Sequence, residues 1–71
     1  MYSLYDLVVL NVDLPSHKLY KGDTGTIVFI SDDESLLEVE FEREANWNAV
    51  ITLSVLQVLP VDLIDASLKT Y

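Results

Sequence analysis

Three glutamates at alternate positions, Glu38, Glu40 and Glu42, are the residues whose spacing first suggests chemistry in this chain. Two neighbouring carboxylates can act as a general acid and base, but only in a desolvating pocket that separates their pKa values. Here the glutamates alternate with apolar residues such as Val39 and Phe41, and this period of two is typical of a half-buried strand. We therefore expect the carboxylates to form a ladder in water and assign them no catalytic role.

Two glycines three residues apart, Gly22 and Gly25, raise the question of a phosphate-binding loop. A Walker loop needs a Gly-Lys-Ser/Thr sequence that opens a helix, whereas a β-branched and aromatic run over 26–30 follows here. This arrangement is typical of a tight turn that leads into a strand. We therefore predict a turn in which the glycines supply positive φ angles.

The sequence offers little for metal binding or nucleophilic catalysis. His17 has no cysteine and no second histidine with which to share a metal ion. The acidic run Asp32, Asp33 and Glu34 lacks the ligand spacing of a calcium loop. No nucleophile stands at a recognisable spacing from an activating base. We expect a protein without catalytic residues, metal or cofactor.

Composition limits the class of protein and of partner. With 71 residues, 51% of them hydrophobic, the chain is long enough for one small domain with a real core. Its formal charge of −8, from four Lys/Arg against twelve Asp/Glu, opposes the phosphate contacts on which nucleic-acid binding depends. A basic protein is the partner that this charge favours. An acidic surface also keeps small proteins soluble and monomeric, and that explanation alone stays open.

The start of the chain lacks the basic residues and the long apolar segment of an export signal. No apolar stretch reaches the roughly 18 residues of a membrane span, because Asn11, Asp13 and Pro15 interrupt the first one. We therefore expect a cytoplasmic protein that does not enter a membrane.

Turn-forming residues divide the chain into five strand-like segments, which predicts an all-β fold. The predicted strands are 7–14, 25–31, 36–42, 47–54 and 58–61. A long irregular loop over 14–23 joins the first two strands, and the segment 54–57 is short enough for a single 3-10 turn. Residues 1–60 should form the domain and 61–71 a tail.

Alternation within these segments predicts which side chains reach the core. The expected inward rows are Val8, Leu10, Val12 and Leu14 in the first strand, Thr26, Val28 and Ile30 in the second, Leu37, Val39 and Phe41 in the third, and Ala49, Ile51 and Leu53 in the fourth. This register leaves Ile27 and Phe29 on the outside, where the tail or a partner would have to cover them.

The tail differs in character from the strands. Ile64, Leu68 and Tyr71 recur with the spacing of one helical face, and Asp62 could cap its start. A helix this short needs docking to be stable, so a docked helix and a frayed end both stay open.

The order of these elements, with the sequence Gly-Asp-x-Gly at the end of the long loop, resembles an SH3-like barrel of the KOW-related type. More narrowly, residues 4–60 resemble a family of functionally uncharacterised short bacterial proteins, many of them cyanobacterial. The segments that carry this likeness are 4–10, 13–17, 21–28, 38–41 and 53–54. The resemblance implies an interaction protein, since some members lie beside an uncharacterised partner in a toxin-and-antitoxin-like arrangement.

SH3-like barrels often bind through aromatic residues beside the long first loop, which makes Tyr20, Phe29 and Trp47 candidate partner-binding residues. Trp47 also shares the parity of the buried row in its strand, so a core role competes. The long loop gathers His17, Lys18 and Lys21 and contrasts with the acidic third strand. A molecule with two such faces could pair weakly with a copy of itself.

Two functions compete at this point. The leading hypothesis is a non-catalytic protein-interaction module that docks on a basic protein, with an antitoxin or immunity role as its sharpest form. The acidic residues expected to make this contact are the ladder Glu38, Glu40 and Glu42 together with Glu44, Asp32 and Asp33. The alternative is a KOW-type nucleic-acid or ribosome-associated module, which the resemblance permits and the charge opposes.

Overall fold

The computed structural model describes residues 2–42 and 48–61, which form one antiparallel sheet of five strands. The strands are β1 (Leu7–Leu10), β2 (Thr24–Ile30), β3 (Leu36–Glu42), β4 (Asn48–Ser54) and β5 (Val58–Pro60), and their order across the sheet is β4-β3-β2-β1-β5. A 3-10 turn, Val55–Gln57, precedes β5. The predicted all-β fold with five strands and this turn is confirmed. The predictions for Glu44, for Trp47 and for the tail from residue 62 onward lie outside the described residues.

A single hydrophobic core lies on one face of the sheet and draws on all five strands. Its buried members are Val8, Leu10, Leu19, Ile27, Leu37, Val39, Phe41, Leu53 and Val58. Half-buried side chains that pack against these include Val12, Leu14, Ile30 and Ile51. Because strands from both ends of the sheet contribute to one core, the sheet curves around it rather than lying flat.

Three strands end earlier than predicted. β1 stops at Leu10 instead of continuing to residue 14, whereas β2 and β5 each stop one residue early, at Ile30 and Pro60. Beyond β1 the chain turns away from the sheet to form the long loop, so Val12 and Leu14 reach the core from that loop and not from a strand. Apolar residues therefore continue to alternate beyond Leu10 because they contact the core, and the alternation does not show where β1 ends.

The register predicted for β2 is wrong at its centre. Ile27 and not Val28 is buried, and it pairs with Val39, whereas Phe29 pairs with Glu38 on the opposite face. The extra residue Val28 sits between these two pairs as a β-bulge. The bulge reverses the parity of the strand, so inward residues are odd-numbered before it and even-numbered after it. Every residue over 27–30 is apolar, and alternation could not reveal the bulge.

The loop over 14–23 is more regular than the sequence suggested. Leu14 and Leu19 form a bridge around the 3-10 turn Pro15–His17, and Lys18 closes that turn with a left-handed φ of 57°. Leu19 is 1% exposed and belongs to the core. A buried leucine therefore anchors the loop to the domain.

Asp33 organises the turn between β2 and β3. One oxygen of its carboxylate accepts hydrogen bonds from the Ser31 hydroxyl (2.8 Å), the Ser35 hydroxyl (2.7 Å) and the Ser35 amide (3.1 Å). The Ser31 hydroxyl oxygen accepts in turn from the Leu36 amide (3.1 Å). Donation by the hydroxyls of Ser35 and Ser31 lowers the pKa of the Asp33 carboxyl from 3.8 to about 2.

We expect Asp33 to make the stability of the domain depend on pH in the acid range. Its pKa is lower in the folded chain than the ordinary value of 3.8, so its contribution is present above that pH and is lost as the pH falls to about 2. The Asp33→Asn variant should no longer lose this contribution to the free energy of unfolding at low pH. The Asp32→Asn variant should still lose it, because Asp32 accepts none of these hydrogen bonds. Urea unfolding at about pH 5 and about pH 2.5 measures both variants. Equal acid losses in the two would contradict the assignment.

The two glycines serve different purposes. Gly22 has a φ of 100°, as predicted for a turn glycine. Gly25 does not, which corrects the prediction that both supply positive φ angles; it lies in β2 opposite Val8. A Cβ atom at this position would lie 2.5 Å from Val39 Cγ1 and 2.9 Å from Phe41 Cε1. The close approach of β3 therefore explains the glycine.

Gly25→Ala should destabilise the domain by about 1–3 kcal/mol, the usual cost of overpacking a core. The added methyl group would clash with Val39 and Phe41 and would lie 3.0 Å from the Glu40 carbonyl oxygen, which cannot rotate away. Gly22→Ala is a useful comparison, because its Cβ would meet no atom within 4 Å and only the left-handed backbone opposes it. Urea unfolding gives both values, and a Gly25→Ala variant as stable as the wild type would refute the close approach.

Candidate interaction surface

Cross-strand pairing places the acidic ladder beside exposed apolar side chains. One row across the sheet consists of Leu7, Thr26, Glu40 and Val50. Leu7 is 52% exposed and Val50 is 51% exposed. Thr26, predicted to face the core, lies in this outward row, because the parity of β2 before the bulge is opposite to the one predicted. On the solvent side of the sheet, the Glu40 carboxylate thus has an apolar neighbour in Val50, and a second apolar residue, Leu7, follows beyond Thr26.

A second row places Phe29, Glu38 and Thr52 side by side. Phe29 is 51% exposed, as its predicted outward position requires, and Leu36, which shares the parity of the glutamates, is 46% exposed. The solvent side of an antiparallel sheet is normally polar, so large apolar side chains on it set this surface apart. We define the outer face by its apolar and acidic members, which are Leu7, Phe29, Leu36, Glu38, Glu40, Glu42 and Val50.

The glutamates are less solvated than the sequence suggested. Glu38 and Glu40 are half-buried, and only Glu42 is exposed. The reason lies in their neighbours, since Phe29 stands opposite Glu38 and Val50 stands opposite Glu40. Side chains directly opposite in an antiparallel pair are about 4.5–5.5 Å apart at Cβ, close enough to shield each other's stems. The outer face therefore combines apolar contact area with negative charge.

The other predicted binding residues are not gathered on this face. Tyr20 is 50% exposed, but it belongs to the 14–23 loop together with the exposed Lys18 and Lys21. Trp47 lies outside the described residues. Among the predicted aromatic residues that the structure describes, Phe29 is the one beside the glutamates.

Sequence analysis did not single out Leu7 and Val50 as surface residues. Each precedes a residue of a correctly predicted inward row, Val8 and Ile51, and therefore has outward parity. A large apolar residue with outward parity in a strand is unusual enough to be a signal. The sequence carries this signal at both positions.

A cavity of about 230 Å³ lies elsewhere on the domain and is lined by Tyr2, Ile30, Glu34, Leu37 and Val55. Burial raises the pKa of the Tyr2 phenol, which donates a hydrogen bond to the Val58 carbonyl oxygen at 3.5 Å. One carboxylate and one neutral phenol on an apolar lining make neither an activated nucleophile nor an acid/base pair. The cavity offers no chemistry that would make it the functional site.

Two further findings concern residues 2–42 and 48–61. Within these ranges, no three side chains of the metal-ligating types histidine, cysteine, aspartate and glutamate lie together as a group that could hold a metal ion. The same part of the chain contains no helix with the length and apolar character needed to cross a membrane.

Comparison with known proteins gives a family without a function. The family model described as "Domain of unknown function (DUF4926)" matches residues 4–60. The match spans all five strands and the whole outer face, and it covers the residues on which the resemblance to an uncharacterised family rested. No curated protein matches the chain.

Proposed function

Because this chain belongs to the family described as a domain of unknown function (DUF4926), we propose its function from its surface: it is a non-catalytic module that binds a basic protein through the outer face. The observation that carries the proposal is the direct pairing of Phe29 with Glu38 and of Val50 with Glu40. These pairs place exposed apolar area and negative charge side by side, which is what a partner with both apolar and cationic side chains requires.

The apolar and the acidic members of the outer face contribute differently to association. Phe29 and Val50 offer apolar area, and its removal from water favours binding by about 25 cal/mol per Å². The glutamates select a cationic partner and speed its approach, because complementary charge acts mainly on association rate and specificity. The formal charge of −8 extends that attraction beyond the contact itself.

The proposal also has a finer form. The strand order β4-β3-β2-β1-β5 and the 3-10 turn before β5 support a relation to SH3-like barrels of the KOW type. In the sharpest version the protein is an antitoxin or immunity protein of the bacterial cytoplasm. Its acidic outer face would cover the basic cleft of a nuclease-like toxin by imitating the charge of nucleic acid.

A KOW-type nucleic-acid or ribosome-associated function is the second candidate, because Lys18, Lys21 and the exposed Tyr20 share one anchored loop. Two lysines release few counterions, and the net charge of −8 works against each phosphate contact. A submicromolar complex with duplex DNA or structured RNA, weakening steeply with added salt, would favour this candidate over the first.

Affinity capture with matched baits tests the first proposal. Three forms of the chain, wild type, Phe29→Ala and Leu56→Ala, are used to capture proteins from a lysate of the native host. Leu56 is 83% exposed and lies in the 3-10 turn, so Leu56→Ala removes an exposed apolar side chain outside the outer face. We expect the wild type and Leu56→Ala to retain a basic protein that Phe29→Ala retains poorly or not at all.

The identity and charge of the captured protein decide the outcome. A protein that all three baits retain equally would remove Phe29 from the binding site. A retained protein that is acidic would contradict the charge argument, even if its retention depended on Phe29.

A further inference from the structure

The outer edge of β4 carries backbone groups that pair with no other strand among the described residues. In the β3–β4 ladder, the Val55 amide donates to the Ser35 carbonyl oxygen (3.1 Å), one pair beyond the register that ends at Leu36 and Ser54. Hydrogen-bonded and non-hydrogen-bonded pairs alternate in an antiparallel ladder. Each β4 residue therefore points its amide and its carbonyl oxygen to the same side. The residues that point both groups toward β3 are Ala49, Ile51 and Leu53. The residues that point both groups toward the outer edge are Asn48, Val50, Thr52 and Ser54.

Two contacts elsewhere agree with this assignment. The Ser31 amide donates to the Leu36 carbonyl oxygen (3.0 Å), so Leu36 points its backbone groups toward β2 and away from Ser54. The Ser54 amide donates instead to Gln57 Oε1 (2.8 Å). The chain thus satisfies the edge-facing amide at one end of β4 with its own side chain. Val50 and Thr52, both exposed, keep theirs on the outer edge.

The two edges of the sheet are protected to different degrees. β5 has three residues and ends in Pro60, and short length and proline are the usual defences of an edge strand. β4 has seven residues, Asn-Ala-Val-Ile-Thr-Leu-Ser, with neither charge nor proline. Among the described strands none pairs with its outer edge. β4 lacks these defences over its whole length, and an edge strand of this kind is a template for another strand.

We infer that β4 receives an extended segment of the basic partner as a sixth strand of the sheet, an inference that rests on the proposed function. The segment alternates lysine or arginine on the outer-face side with apolar residues on the core side. Neighbouring strands lie about 4.8 Å apart, so the added strand would lie about 10 Å from β3. Glu40 is paired with Val50, and Glu38 is paired with Thr52. A lysine or arginine of the added strand would extend across Val50 or Thr52 and form an ion pair with the glutamate on the far side. The apolar residues of the added strand would adjoin Ile51 and Leu53.

Charge favours this partner over a second copy of the chain. Two β4 strands paired about a two-fold axis would join their outer faces into one surface, with the glutamates of both copies on the same side. The formal charge of −8 on each copy opposes that pairing, whereas a cationic segment is attracted to it.

Amide hydrogen exchange by NMR tests the inference on the wild-type chain. The probe is a synthetic peptide of about ten residues that alternates valine and lysine, and its control replaces each lysine with glutamate. In the free chain, the amides of Val50 and Thr52 should exchange fast while those of Ile51 and Leu53 are protected. The valine-lysine peptide should slow exchange at Val50 and Thr52 by about tenfold or more, and the valine-glutamate peptide should not.

A pair of variants at one position separates the backbone from the side chain. Thr52→Pro removes the edge-facing amide at a place where a strand tolerates proline, and Thr52→Ala keeps it. Binding of the valine-lysine peptide should be lost in the first variant and kept in the second. If Thr52→Pro does not fold, the inference is tested by the effect of the two peptides on amide exchange at Val50 and Thr52 in the wild type.

Several results would overturn the inference. One is protection of the Val50 and Thr52 amides in the free monomer, which would mean that the chain covers its own edge. Another is protection that rises with protein concentration alone, which would identify a second copy as the occupant. A third is equal protection by the lysine and glutamate peptides. Capture of a basic partner that depends on Phe29 but leaves both amides exchanging fast would uphold the proposed function and refute strand addition.

Discussion

Replacing Phe41 with alanine should unfold the domain or bring it close to unfolding. Phe41 is 1% exposed and is among the largest fully buried side chains of the described residues. Truncating a buried phenylalanine costs about 3–5 kcal/mol, because the transfer free energy is lost and a cavity remains. The whole stability of a native protein is commonly about 5–15 kcal/mol, and a small domain lies toward the lower end. Urea unfolding followed by circular dichroism measures the loss.

Phe29→Ala is the matched control, since it removes the same atoms from a side chain that is 51% exposed. Its loss of stability should be well under half that of Phe41→Ala, because much of the Phe29 ring is in water in the folded chain. Near-equal stability of Phe41→Ala and the wild type would mean that the register of β3 is wrong. Equal losses in the two variants would place Phe29 in the core and remove it from the outer face.

The clearest sequence pattern gave the most accurate element. In β3, apolar and acidic residues alternate over 37–42, and the predicted bounds 36–42 are those observed. β2 lacks that contrast, since Ile27, Val28 and Phe29 are all apolar and either face could be the inner one. The bulge at Val28 resolves the ambiguity through pairing with β3, and this is information that no local pattern contains.

Other features were hidden because they depend on contacts distant in sequence. Gly25 is a glycine because Val39 and Phe41 approach it, and its own neighbours in the chain give no hint of that approach. Leu19 is buried because the loop folds back through the bridge with Leu14. Composition and local turn signals predicted a loop, and the anchoring of that loop required the three-dimensional structure.

The candidate site was predicted in part. Glu38, Glu40 and Glu42 do share one face of β3, and Phe29 does lie outward. The half-burial of Glu38 and Glu40 was missed, because it arises from residues on neighbouring strands. The outer edge of β4 could not be recognised from sequence either, since strand order across a sheet is a property of the whole fold.

Reversing the three ladder glutamates to lysine together should slow association with the captured partner by about tenfold or more. The fold should survive the change, because Glu38, Glu40 and Glu42 point away from the core. The partner is the basic protein that the capture experiment identifies. A control variant in which Asp32, Asp62 and Asp65 become lysine has the same change in net charge and replaces no member of the outer face. Its association rate should fall much less.

Association rates of the wild type, the ladder variant and the charge-matched control at two salt concentrations test the central claim most directly. The Debye length shortens from about 10 Å at 0.1 M salt to about 3 Å at 1 M, so attraction between the outer face and a basic partner must weaken as salt is added. We expect the wild type and the control to associate fast at low salt and to slow markedly at high salt, and the ladder variant to associate slowly at both. Equal, salt-insensitive rates for the wild type and the ladder variant would contradict electrostatic docking on the outer face.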